Sequence, residues 1–207
     1  MKVLLVNGSP NEHGCTYTAL QTVASALHEQ GVETEIFWIG KAPIGGCMAC
    51  TACRKLGKCI QDDVVNTFAE KARQADGFVF GSPVHYAALS GNLTAFMDRA
   101  FYSAGKDTYR YKPAAGVLSA RRAGTTAAFD QINKYFTINE MPIVSSRYWN
   151  MVHGAKAEDV LQDAEGVACM RQLGKNMAYL LSCMEAGKKA GITPPEQEPL
   201  VRTNFIR

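Results

Sequence analysis

Four of the seven cysteines fall within thirteen residues as Cys47-x2-Cys50-x2-Cys53-x5-Cys59, while Cys15, Cys169 and Cys183 lie far apart. Thiolates this close together can hold the corners of one [4Fe-4S] cube, which normally takes four Cys ligands. The spacing departs from the ferredoxin run, in which three residues precede the fourth Cys and Pro follows it; here five precede it and Ile60 follows. Zinc is the weaker metal reading, because structural zinc sites more often use two separated C-x2-C knuckles. A cysteine-rich loop that holds nothing is the third, and the spacing leaves all three open. Gly57 would let the chain turn back so that Cys59 reaches the other three thiols. Arg54, Lys55 and Lys58 would make the loop electropositive, easing the charge of a cluster and offering a dock for an acidic electron donor.

Three further segments carry polar chemistry. The run Asn7-Gly8-Ser9-Pro10-Asn11-Glu12-His13-Gly14-Cys15-Thr16-Tyr17 follows an apolar stretch and precedes a helical pattern. Open N–H groups and the positive end of a helix dipole make such a turn an anion site. It lacks the lysine of G-x-x-x-x-G-K-[ST] and the glycines of G-x-G-x-x-G, so a monophosphate met by N–H groups and the Ser9 and Thr16 hydroxyls fits best. The plainer reading is an ordinary strand-to-helix turn with Thr16 near the N-cap. Gly81-Ser82-Pro83-Val84-His85-Tyr86 and Leu118-Ser119-Ala120-Arg121-Arg122-Ala123-Gly124 place small residues where a flat ring could be held edge-on. His85 and Tyr86 could stack on such a ring, and two arginines stand ready for developing negative charge. Read as more than surface loops, the three segments together point to one bound mononucleotide.

These segments need a scaffold, and the apolar pattern supplies one. Lys2 to Asn7 reads as a strand buried on both faces. Ala19, Leu20, Val23, Ala26 and Leu27 then recur at helical spacing until Gly31. Further strands are expected at Glu33 to Ile39, Phe78 to Phe80, Ala115 to Leu118 and Ile143 to Ser145. Helical faces are expected through Val65 to Ala72, Leu93 to Phe101, Ala128 to Phe136, and a tract from about Lys156 to Lys189. Alternating strands and helices predict an α/β fold, an open doubly wound five-stranded parallel sheet with right-handed crossovers and ligands beyond the carboxyl ends of the strands. The predicted domain spans 1–190, and the Pro-rich stretch after it makes 191–207 an extended tail that is mobile or laid across a partner.

The chain has 207 residues and a formal charge of +3, too little and too scattered for a nucleic-acid binder. A domain of this size buries roughly 70% of its unfolded surface and needs no disulfide or metal for its core. The first apolar run is far short of the ~20 residues that span a bilayer, and no signal peptide is expected. With the odd, clustered cysteines, this predicts a cytoplasmic protein off the membrane.

The ordered set G-S-P-x-x-x-G-x-T in the first loop, G-S-P-V-x-Y-x-x-x-S-G-x-L-x-x-F-M-D-R from Gly81, and S-A-R-R-A-G from Ser119 resembles the NADPH-dependent FMN reductase and iron-sulfur flavoprotein group of the flavodoxin-like superfamily. The resemblance covers about residues 1–150 and implies a flavodoxin-like three-layer α/β/α fold that binds FMN. It implies that the phosphate lies at Ser9, Asn11, Cys15, Thr16 and Tyr17, and the ring against Pro83, Val84, His85, Tyr86, Ser119, Arg121, Arg122 and Gly124. Asn11, Cys15 and His85 depart from the residues frequent in that group. Its iron-sulfur flavoproteins carry a compact motif like Cys47, Cys50, Cys53 and Cys59, although cluster-free relatives also keep cysteines in this loop. The expected function is an FMN-dependent oxidoreductase with NAD(P)H as co-substrate and a quinone, flavin, nitro or azo compound, or a protein, as electron acceptor. The alternative is a one-electron carrier in which FMN and a cluster exchange electrons with a ferredoxin-like donor; a third is a flavin-binding sensor. A homodimer or homotetramer is expected, with Phe101, Tyr102, Tyr109 and Tyr111 as candidates for the contact.

Overall fold

Strand β1 (Lys2–Asn7) alternates its buried side chains between two cores. Val3 and Leu5 join one cluster and Leu4 and Val6 the other, which requires helices on both faces of the sheet. The computed structural model of the chain, which describes residues 1–205, shows that arrangement. After β1 come α1 (Cys15–His28), β2 (Glu33–Trp38), the single-turn α2 (Cys53–Leu56), α3 (Val64–Arg73) and β3 (Gly77–His85). Then follow β4 (Ala88–Leu89), α4 (Gly91–Ala104), β5 (Ala114–Ala120), α5 (Thr125–Ile138), β6 (Met151–His153), α6 (Ala157–Val160) and α7 (Ala164–Lys189). The parallel strands lie in the order β2-β1-β3-β5-β6, and β4 pairs antiparallel with the end of β3. The chain therefore reverses direction across the sheet between β1 and β3, the switch point of the flavodoxin-like order.

Helices α1 and α7 cover one face, packed so closely that a Cβ on Gly174 would meet the Ala26 Cβ and the Val23 carbonyl at 2.7 Å. Helices α3, α4 and α5 cover the other over a chain of aromatic rings, Phe37, Phe68, Phe78, Phe80, Phe96, Phe101, Tyr109 and Phe136. Each fully buried ring of this kind contributes ~1.5–3 kcal/mol by leaving water. Asp63, just ahead of the helical face that starts at Val65, caps α3 by accepting from the Val65 N–H.

Several expectations change. Strand β3 runs past Phe80 to His85 and folds back through β4, so among the described residues the sheet has six strands, five of them parallel. The last parallel strand is Met151–His153; Ile143 makes only a single bridge to Ala114 before the chain leaves the edge and returns. The C-terminal helical tract is broken at 161–163, where Asp163 stops following the helix and its carboxylate caps α7 at the Gly166 N–H. Phe101 and Tyr109 are core residues, with the Tyr109 hydroxyl donating to the Ala100 carbonyl, and are not free for a contact between copies. Cys169 and Cys183, which on the C-terminal helical tract read as core residues, divide: Cys169 is buried in the core shared with α1, and Cys183 is exposed. The segment 192–204 has no helix or strand, and residues 206–207 of the expected tail lie outside the described residues. Among the described residues no helix is long and apolar enough to cross a membrane.

Candidate functional site

The carboxyl ends of β1, β3 and β5 lie side by side, with Asn7 level with Gly81 and Pro83 level with Ser119. The three loops that leave them are tied in pairs. The Thr16 and Ser119 hydroxyls meet at 2.8 Å, joining the first loop to the third. The Ser90 hydroxyl donates to the Gly8 carbonyl at 2.8 Å, joining the first to the second. Gly124 sits so close to the β3–β4 turn that a Cβ there would stand 2.9 Å from the Ala87 Cα, and its φ of +98° is one that a side chain would strain.

The first loop is held from within. Asn7, fully buried, accepts from the Ser9 N–H and donates to the Glu12 carbonyl, and the Trp38 indole donates to the Ser9 carbonyl at 2.8 Å. The Ser9 hydroxyl accepts from the Asn11 N–H. Helix α1 then begins after Gly14, which has no side chain to cap it. The N–H groups of Cys15, Thr16 and Tyr17 have no carbonyl one turn earlier within the helix, so this end keeps its anion-binding character. The Cys15 thiol points to the Gly154 carbonyl, and burial pushes its pKa up, so it adds no negative charge where the helix offers a positive end. Thr16 lies just past the N-cap, Gly14, as the plainer reading has it, but its buried hydroxyl bonds Ser119 and does not cap the helix.

Pro83 and Val84 are half-buried at the end of β3, while His85, Tyr86 and Ala87 are exposed. Tyr86 and Ala87 both have positive φ, +52° and +59°, as a two-residue type I′ hairpin requires. For non-glycine residues this region costs ~1–2 kcal/mol each, and Tyr86 remains wholly exposed in spite of it. Arg121 and Arg122 are exposed, and neither has a hydrogen-bond or ion-pair partner among the described residues.

A second site lies beyond β2. Cys47, Cys50, Cys53 and Cys59 line one small open pocket together with Met48, Arg99, Tyr102 and Ser103. Helix α2 starts at Cys53 and ends at Gly57 in the left-handed conformation, which turns the chain back toward Cys59 as the sequence suggests. Arg54, Lys55 and Lys58 are exposed around it. The four thiols share a pocket without converging: among the described residues no three His, Cys, Asp or Glu side chains are gathered as one metal ion would need. The donor chemistry of that pocket nonetheless suits a group ligated by four thiolates, and the buried, unpartnered Ser103 hydroxyl lining it leaves a donor to be satisfied. Trp38 lies outside every run that the sequence singled out; Asn7, Ser90 and Arg99 stand inside the quoted runs, Asn7 as an Asx turn ahead of a helix, but with no role assigned to them.

The NADPH-dependent FMN reductase family model matches residues 1–156. An iron-sulfur flavoprotein of Methanocaldococcus jannaschii is 30% identical over 192 residues, covering 89% of this chain and 100% of that protein. One from Archaeoglobus fulgidus is 30% identical over 191 residues, covering 87% and 97%. Among solved structures, RosB with bound 8-demethyl-8-formylriboflavin-5'-phosphate superposes with a TM-score of 0.68 at 13% identity, covering 99% of this chain and 91% of that one. A flavone reductase gives 0.70 at 17% identity, covering 89% and 64%. At such identities the structural likeness shows the fold.

Proposed function

We propose that this chain, which belongs to the NADPH-dependent FMN reductase and iron-sulfur flavoprotein family, is a cytoplasmic FMN-dependent oxidoreductase that draws electrons from NAD(P)H. The observation that carries the reading is the convergence of three mutually tied loops on an uncapped helix N-terminus at the β1/β3 switch point. Bound FMN would supply the hydride chemistry, taking up two electrons and passing them on. The chain's own residues bind and orient it. The N–H groups of Cys15, Thr16 and Tyr17, with Ser9 and Asn11 beside them, neutralise the phosphate. Pro83, Val84, His85, Tyr86 and Ser119 bound the ring, and Gly124 keeps the space beside the turn clear of a side chain. Arg121 and Arg122, engaged by no other partner among the described residues, offset negative charge that builds on the ring as it is reduced.

A second reading adds a one-electron function. The four cysteines in one pocket favour it, since a [4Fe-4S] cluster held by Cys47, Cys50, Cys53 and Cys59 would supply single-electron exchange with a ferredoxin-like donor. Assembly into a homodimer or homotetramer belongs to the same proposal, with Tyr102 and Tyr111 the expected contact aromatics that are not core residues. Anaerobic mixing of the FMN-loaded protein with NADH or NADPH separates the two readings. Rapid loss of the oxidised flavin absorbance is the result expected of a reductase. Persistence of that absorbance, with reduction only by a one-electron protein donor, would favour the carrier.

A further inference from the structure

Helix α4 turns toward the cysteine pocket a face on which the flavin reading makes no demand. Arg99 is 1% exposed, yet all three of its nitrogens are engaged. Nη1 and Nη2 bond the two carboxylate oxygens of Asp63 at 2.7 and 2.9 Å. Nη1 also donates to the Gly45 carbonyl and Nη2 to the Gln61 carbonyl, at 3.2 and 2.9 Å. Those carbonyls lie just before Cys47 and just after Cys59, so one planar guanidinium, its charge met by Asp63, clamps both ends of the cysteine loop. The remaining nitrogen, Nε, donates to the Cys59 sulfur at 3.3 Å. One turn further along the same helix, Ser103 lines the same pocket, more than nine-tenths buried, with a hydroxyl that has no partner. A buried donor beside four thiols awaits an acceptor that the protein itself does not provide.

We propose that Arg99 is a positioning residue for the cysteine site, fixing the loop ends and donating to Cys59, and that with Ser103 as second donor it raises the reduction potential of the cluster. This rests on the reading that Cys47, Cys50, Cys53 and Cys59 hold an iron-sulfur cluster, and goes beyond it by naming what tunes that cluster. The cluster gains one electron from a reductant, no bond is made or broken, and its negative charge grows. Donors aimed at its sulfurs stabilise the reduced form more than the oxidised form. The flavin site, served by the other end of α4 through Ser90, is not affected.

The test is a dithionite titration of anaerobically reconstituted full-length protein, following the reduced cluster by electron paramagnetic resonance and the flavin by absorbance. Iron is measured first. In Arg99→Lys, which keeps the charge but loses the fork, the one-electron equilibrium should move at least tenfold toward the oxidised cluster, about 59 mV. Ser103→Ala should move it the same way, with the flavin potential unmoved in both variants. A wild-type cluster potential in Arg99→Lys would overturn the proposal while leaving the cluster reading intact. Should Arg99→Lys fail to fold, Ser103→Ala decides, with a lowered potential supporting the proposal and an unchanged one overturning it. Less than one iron per wild-type chain would remove the cluster reading and this inference with it.

Discussion

Thr16 and Ser119 are separated by 103 residues, and their hydroxyls share one buried hydrogen bond at the rim of the proposed flavin site. Thr16→Ala leaves the Ser119 hydroxyl without that partner and loosens the loop proposed to hold the phosphate. FMN binding should weaken by ~1–3 kcal/mol, the range for a polar group left unsatisfied or a lost bond to a charge. Thr16→Ser should retain most of it, and calorimetric affinities equal in wild type and Thr16→Ala would place the phosphate elsewhere. Arg121→Ala or Arg122→Ala should lower the flavin reduction potential, because the anionic reduced ring loses a cation while the neutral oxidised ring loses little. Unchanged potentials in both variants would leave charge stabilisation to the backbone of that turn. Both sites are legible in the sequence as residue types in order: hydroxyls, arginines and spaced thiols. What those side chains touch is not, because the Thr16–Ser119 bond and the Arg99 clamp join positions brought together only by the sheet.

The β3–β4 hairpin shows at the level of an element why the rest is hidden. Its turn is Tyr86-Ala87, whereas a local hairpin signal would be Asn-Gly, so nothing nearby in sequence announces φ > 0 at both positions. Phe80 is followed by Gly81, Ser82 and Pro83, which read as a loop although the strand continues to His85. Ala87→Gly should therefore stabilise the fold by ~1 kcal/mol by relieving a left-handed residue; a lower melting temperature would show that the Ala87 methyl packs to more effect than its backbone strain costs. The edge strand departs from its expected place for a related reason. Ile143 is apolar and bridges Ala114, but sustained pairing is with Met151–His153 after an excursion that carries exposed Tyr148 and Trp149. The central strands and the helices are readable because each buries a periodic stripe, as Leu20, Val23 and Leu27 do on α1.

For the molecule as a whole, the edge strand β2 is pinned to β1 and α3 by Glu35, which bonds Lys2 at 2.8 Å and Lys71 at 2.7 Å. The hydrogen bonds from Lys2 and Lys71 hold the Glu35 carboxyl below the usual range. Because the folded pKa is the lower one, this stabilisation is complete above the unfolded value of about 4.3 and is lost as pH falls through the folded value. Wild type should accordingly lose more melting temperature than Glu35→Gln between neutral pH and pH below 4.3, roughly the unfolded pKa; parallel losses would remove Glu35 from the account of acid sensitivity. The whole architecture otherwise serves one end of the sheet, where three tied loops meet the uncapped start of α1. The most direct test of that claim is calorimetric titration of flavin-free protein with FMN and with riboflavin, which differ only in the phosphate. Charge-assisted hydrogen bonds from the α1 N–H groups predict FMN binding tighter by at least about tenfold. Equal affinity for the two would contradict the phosphate site and with it the flavin placement built on it.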